Sequence, residues 1–194
     1  MPDAKQTLIR AGEQLFAREG IHGARINELT ERAGQRNQSA LHYHFGSREG
    51  LLAAIIERHL AAVDGARAHL VRSVDPEAPL RQIVAVIVTP LAGELTSPSG
   101  RDYLRIVPQI LKSDVSPTAL MEAMALAESH LAGLAEPLRK ERLRAMIQLA
   151  TTLLAARAVG IEDGDDMDLD EDDFIANLIE MCTAILQAPW DRSP

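Results

Sequence analysis

From Leu8 to Leu186 the apolar residues recur at three- and four-residue spacing, in segments cut by short Pro-, Ser- and Gly-bearing breaks, and that periodicity commits the chain to helices. Leu8, Ala11, Leu15 and Phe16 define a first helix, which Gly20 is placed to close as a left-handed cap. Ile26, Leu29 and Ala33, ended by Gly34, predict a short second helix. A third falls between roughly Arg36 and Phe45 and stops at Gly46. Ser47 is a good N-cap for a long fourth helix, with Glu49 favourable in its first turn; Leu51, Leu52, Ile55, Ile56 and Leu60 make it a strut between two cores. Beyond residue 73 the breaks "DPEAP", "TSPSG", "SDVSPT" and "AEP" leave helices near 80–95, 101–112, 117–134, 137–159 and 171–187. "IVAVIV", Ile83 to Val88, could be a buried strand, but no second strand is there to pair with it. Pro90 and Pro108 should kink or shorten their helices. The expectation is an all-α protein, three short helices over residues 1–46 followed by a larger helical bundle over 47–194.

A chain of 194 residues with 46% hydrophobic and 25% charged residues can bury a sizeable core. Its continuous apolar runs fall far short of the ~20 residues a membrane helix needs. The first residues lack the apolar core and cleavage site of a secretory signal. These features point to a cytoplasmic protein with no membrane partner. The single cysteine, Cys182, sits in an apolar helical pattern and reads as a small buried hydrophobe. The net charge of −8 is unevenly spread: residues 1–48 carry +2 and the remainder −10. A slightly basic head on an acidic body permits one end to approach phosphates.

The segment "AGQRNQSALHYHFGSREGLL", Ala33 to Leu52, carries the sharpest functional signal. On a helical wheel Ala40, Leu41 and Phe45 cluster on one side, which must pack on the first two helices. Ser39 and Tyr43 point away from it, His42 flanks them, and Arg36 lies one turn earlier on the outward side. Asn37 and Gln38 stand at the helix start. Arg, Gln, Ser, His and Tyr presented this way have the donors and acceptors that read base edges and phosphates. A short polar helix alone is usually just solvated; its setting between two glycine turns and before a capped long helix is helix-turn-helix architecture.

"LIRAGEQLFAREGIHGARINELTERAG" followed by "SALHYHFGSREGLL" resembles the N-terminal domain of TetR-family transcriptional regulators, with Phe16, Gly20, Ala33, Gly34, Leu41, Tyr43 and Phe45 where the family pattern wants them. The resemblance runs from about Leu8 to Leu52. It implies a homodimer that binds a double-stranded DNA operator through a three-helix head. It also implies a helical C-terminal domain that takes a small-molecule effector and dimerises through its last two long helices. Carried over by position, it assigns DNA contacts to Asn37, Gln38, Ser39, His42, Tyr43 and His44, together with Arg25 and Asn27 of the second helix and Arg48 near the phosphate backbone. His44 leans toward the core edge and is the weakest of these. Three departures stand out: one extra residue between the second and third helices, which leaves the register of Gln35 and Arg36 open; Arg25 in place of a capping hydroxyl; and His42 in place of tyrosine.

Other constellations point elsewhere. His42 and His44 diverge by about 200° on a helix and cannot clasp one metal ion. "EDGDDMDLDEDD", Glu162 to Asp173, fails the EF-hand register at Glu171; a solvated loop whose last carboxylates complement the next helix fits it better. No nucleophile elbow, phosphate-cradling loop or HExxH marks an enzyme, and no cofactor is called for. The last helix, with Phe174, Ile175, Leu178, Ile179, Met181, Cys182, Ile185 and Leu186, is apolar over too wide an arc for one packing surface. The helix before it, with Leu143, Met146, Ile147, Leu149, Ala150, Leu153 and Leu154, is similarly broad. Two such helices from each of two protomers would form a four-helix interface, with Leu143, Ile147, Leu154, Phe174, Leu178, Met181 and Ile185 in the seam. The resemblance assigns the effector pocket to the central helices, where Tyr103, Arg105, Met121, Met124 and His130 lie. A ligand-responsive dimeric repressor is thus the leading reading. The alternatives are a small-molecule-binding helical protein with a vestigial head, and a helical enzyme.

Overall fold

The computed structural model describes residues 4–25, 39–110 and 117–190, with the side chain of Ser39 excepted. Eight α-helices occur among them: α1 Ala4–Gly23, α2 Ser39–Phe45, α3 Arg48–Ser73, α4 Leu80–Ala92, α5 Pro98–Ile110, α6 Thr118–Ser129, α7 Glu136–Asp163 and α8 Glu171–Gln187, with a 3-10 turn, Gly93–Thr96, after α4. The expected second helix, and the start of the third, lie outside the described residues. "IVAVIV" is helical, buried within α4.

Two cores are built. In the first, α1 contributes Leu8, Leu15 and Phe16, α2 contributes Leu41, and α3 contributes Leu51 and Ile55, all fully buried. Ile106 of α5 completes it. The second core fills the bundle of α4, α6, α7 and α8, with Ile83, Val84, Met146, Leu154, Leu178 and Cys182 at its centre. Cys182 is the small buried hydrophobe expected, its thiol pKa pushed up to about 11 by burial. α3 is the strut anticipated from sequence, and α5 is a second one: Ile106 enters the first core and Leu104 the second. A boundary at residue 46 therefore cuts the chain, but the head's core draws on α3 and α5 beyond it.

The breaks have identifiable chemistry. Gly20 has the expected positive φ of 75°, yet its ψ of 162° lies outside the left-handed helical region, and the helix resumes to Gly23. Gly46, at φ 72°, turns the chain between α2 and α3. Ser47 then caps α3, accepting a 3.0 Å bond from Gly50 N. Gly50 sits so close to the turn that a Cβ there would lie 2.0 Å from the Phe45 carbonyl oxygen. Pro90 and Pro108 stand two residues from the ends of α4 and α5, shortening rather than kinking them. The acidic run behaves as anticipated at its end, where Asp170 caps α8 by accepting from Asp173 N at 2.8 Å. By length and composition alone α7 could cross a membrane. Here it is a bundle helix, packed on α5 and α8, with Arg142 donating to the Leu186 carbonyl at 2.7 Å.

Candidate DNA-binding head and effector cavity

The outward face of α2 is as its wheel predicts. Leu41 is fully buried, Ala40 and Phe45 are half-buried, and Tyr43 is 84% exposed. His42 is exposed, and its Nδ1 lies 2.7 Å from the Gly46 carbonyl oxygen. A carbonyl only accepts, so Nδ1 carries the hydrogen and neutral His42 keeps Nε2 as an acceptor. His44 is half-buried, edge-on to Tyr43 with ring centroids 5.0 Å apart, which matches its lean toward the core. Arg25 is exposed. Asn27, Arg36, Asn37 and Gln38, and the side chain of Ser39, lie outside the described residues.

Arg48 is placed differently from the phosphate-facing role the resemblance implies. Its guanidinium turns inward, donating to the carbonyls of Ile21 and, at 3.3 Å, Ala24, while Nε meets Glu49 at 3.2 Å. It therefore satisfies carbonyls at the end of α1 that the Gly20 break would leave without partners.

Of the five residues assigned to an effector pocket, only Tyr103 faces an enclosed cavity. Tyr103 is 2% exposed and lines a space of about 90 Å³ between α3, α4, α5, α6 and α7. The other four are scattered. α6 packs through its small residues Ala119, Ala123 and Ala127, and this rotates Met121 out to solvent and Met124 into an open groove beside Gln109 and Arg144. Arg105 stands off the buried face of α5. His130 is at the far end of α6, with Nε2 3.1 Å from the Pro76 carbonyl oxygen.

One stripe of α3 runs from the head core to the cavity. Leu51, Ile55, His59, Val63 and Arg67 recur every fourth residue along α3, so two ionisable side chains occupy its apolar stripe. Both are buried. His59 stacks on Tyr103, with centroids 4.4 Å apart and rings 6° from parallel. Its Nδ1 lies 2.7 Å from Glu94 Oε2 and its Nε2 3.1 Å from Glu13 Oε1 of α1. Glu13, fully buried, also accepts from Ser99 Oγ at 2.6 Å and from Arg10 at 3.0 Å; Arg10 bridges on to Asp102 at 2.7 Å. Burial alone would lower the pKa of His59, but hydrogen bonds and charge from the two carboxylates outweigh it and raise the value to about 9. Burial likewise opposes ionisation of Glu13, and its bonds from His59, Ser99 and Arg10 overcome that and hold its pKa below the ordinary value. The tie between head and cavity is thus an imidazolium between two carboxylates.

The seam assigned to dimerisation divides in two. Leu143, Leu154 and Leu178 are buried inside the protomer, and Ile147 lines the cavity. Phe174, Met181 and Ile185 of α8 are half-buried, packed at the margin of the bundle core, with Ala184 beside them exposed; on α7, Leu149 is half-buried and Ala156 exposed. The seven residues named from sequence therefore do not form one surface: four are inside the protomer and three are half-buried along α8.

The head has known counterparts. Residues 8–55 match the family model described as bacterial regulatory proteins, tetR family. It is similar to the HTH-type transcriptional repressor NicS of Pseudomonas putida, 33% identical over 84 residues that cover 43% of this chain and 39% of the relative. The chain thus matches well under half the length of that curated relative. Across its whole length the fold resembles that of SCO4942 from Streptomyces coelicolor, at 22% identity and TM-score 0.57, covering 96% of this chain and 100% of the other. SCO4454, a TetR-family transcriptional regulator from the same organism, has TM-score 0.53 at 16% identity, covering 95% and 94%. An N-terminal helix-turn-helix head on a C-terminal helical domain is the architecture of these structures.

Proposed function

We propose that this protein is a cytoplasmic, dimeric, ligand-responsive transcriptional repressor, released from a palindromic DNA operator by a small molecule that enters the cavity beside Tyr103. The observation that carries the reading is continuity. α3, capped by Ser47 one residue beyond the Gly46 turn that ends α2, gives Leu51 and Ile55 to the head core, binds Glu13 through His59, and lines the cavity with Val63 and Arg67. A ligand favouring another tilt of this rod moves both heads. A dimer grips two half-sites only when its recognition helices are about 34–36 Å apart, so a changed tilt lowers operator affinity. Effector and operator weaken each other's binding by the same factor, set by the effector's differential affinity for the two states. The outer faces of α7 and α8 form the dimer contact, and α2, with Tyr43 and His42, meets the DNA.

The experiment is selection of genomic fragments by the purified protein, followed by titration of a selected fragment against salt. Affinity falling by roughly two orders of magnitude or more between about 50 and 200 mM salt is expected of a head that neutralises several phosphates. Weak, salt-insensitive binding, with no fragment enriched, would overturn the reading and leave a ligand-binding helical protein with a vestigial head.

A further inference from the structure

The cavity beside Tyr103 is walled largely by apolar side chains, among them Leu60, Val63, Val107 and Leu120; besides Tyr103 and Thr151, the polar group on its wall is the charged Arg67. Arg67 is 3% exposed. Its Nη2 donates to the Ile87 carbonyl at 3.2 Å, and Nη1 reaches Asp64 Oδ1 only at 3.4 Å. Nε is buried and has no partner. Asp64 is a shared counter-ion: its two oxygens also accept from Ala119 N at 3.1 Å and Leu120 N at 3.0 Å at the start of α6, and it meets Arg67 only through Nη1. Burial therefore lowers the pKa of Arg67, with Asp64 offsetting only part of the effect.

A buried donor without a partner is unfavourable, and more so where the group is charged. A guanidinium whose side edge is open matches one class of group above others: a planar carboxylate, which accepts two parallel N–H bonds from it. Tyr103 lines the same space, and with its pKa raised to about 12 by burial and the charge of Glu94 it stays a proton donor. At about 90 Å³ the cavity is smaller than the roughly 150 Å³ that accommodates benzene in an engineered protein core. The occupant's apolar part is short.

Building on the effector reading above, we infer that the cavity's ligand is a small aliphatic monocarboxylate, its carboxylate on Arg67 Nε and its short hydrocarbon body against Val63, Val107 and Leu120. A carboxylate here completes the donor set of Arg67 and supplies the charge that Asp64 gives only in part. The ligand also touches Tyr103, hence the ring stacked on His59 and the tie to Glu13.

The test is calorimetry on the full-length protein without DNA, comparing isobutyrate with isobutyramide, which has the same shape and no charge. Isobutyrate should bind at least about tenfold more tightly than the amide. Arg67→Gln should abolish that preference. Because a buried arginine can be needed for folding, Ala150→Leu gives an independent check: it fills the cavity, leaves Arg67 in place, and should abolish binding of the acid. Equal affinity for acid and amide, or no heat from propionate, isobutyrate or isovalerate on the wild-type protein, would overturn the inference. If isobutyrate binds as expected while DNA affinity is unchanged, the carboxylate site stands and the release of operator by ligand fails.

Discussion

Nε2 of His59, in the middle of α3, lies 3.1 Å from Oε1 of Glu13 on α1, the two side chains being 6% and 0% exposed. A helix joined to the head only by the Gly46 turn could swing freely; this buried charged contact makes α1 and α3 move as one. Breaking it by removing one partner is expensive, because the other charge stays buried. Any tilt of α3 is therefore transmitted to the head through the α2–α3 turn, through Leu51 and Ile55 in the head core, and through the Glu13–His59 pair.

The pair sets a pH dependence whose sign follows from the raised His59 pKa. The folded protein holds the imidazole proton until about pH 9, whereas an unfolded chain releases it near 6.5. The stabilisation is fully present below pH 6.5 and is lost as pH rises through 9. The groups facing this imidazole are Glu13, Glu94, Ser99 and Tyr103, with Arg58 3.7 Å and Arg10 3.0 Å from the Glu13 carboxylate. Thermal melts should show the midpoint falling between pH 7 and 9.5. Glu13→Gln should move that fall to lower pH; an unchanged profile in this variant would disprove the assignment.

Tyr43 and Arg48 should separate binding from stability. Tyr43→Ala removes an exposed side chain and should weaken DNA binding about tenfold or more with the melting temperature unchanged. Arg48→Ala leaves the Ile21 and Ala24 carbonyls without their donor and should cost about 1–3 kcal/mol of stability. Melts and fluorescence-anisotropy titrations on the same samples decide it. A stable Arg48→Ala protein with a reduced salt slope would restore the phosphate role.

Met181 and Leu178 are one helical turn apart and predict opposite phenotypes. Leu178→Glu buries a charge inside the protomer and should unfold the bundle. Met181→Glu and Phe174→Glu, on the outer face, should give folded monomers by sedimentation and circular dichroism. A dimeric Phe174→Glu, Met181→Glu double variant would remove the α8 face from the interface.

Gly50→Ala tests the junction of head and strut. Its Cβ would meet backbone, the Phe45 carbonyl oxygen at 2.0 Å, so no side chain can move aside. The α2–α3 turn must open, at a cost of about 1–3 kcal/mol. Hydrogen exchange should show faster exchange over residues 41–51 with the α7–α8 bundle unaffected.

Among the described residues, the sequence by itself determined what depends on neighbours along the chain: the helical segments, the cap at Ser47, the turn at Gly46, the carboxylates before α8, and the outward placing of His42 and Tyr43 on α2, because periodicity, capping and positive φ are local properties. It also carried the family pattern of residues 8–55. Only tertiary structure decided which side of a doubly apolar helix faces inward. Leu178 and Met181 are both apolar and three residues apart, and the packing of α8 on α4 and α7 buries the first fully and the second only in part. Packing likewise turned Met121 and Met124 away from the cavity, since α6 meets its neighbours through alanines, and brought Arg67 in from α3. Glu13, His59 and Glu94 are 46 and 35 residues apart in successive pairs, and no local rule joins them. Their meeting depends on how α1, α3 and the turn after α4 cross, and the cost of burying charge then selects the one arrangement in which each finds a partner.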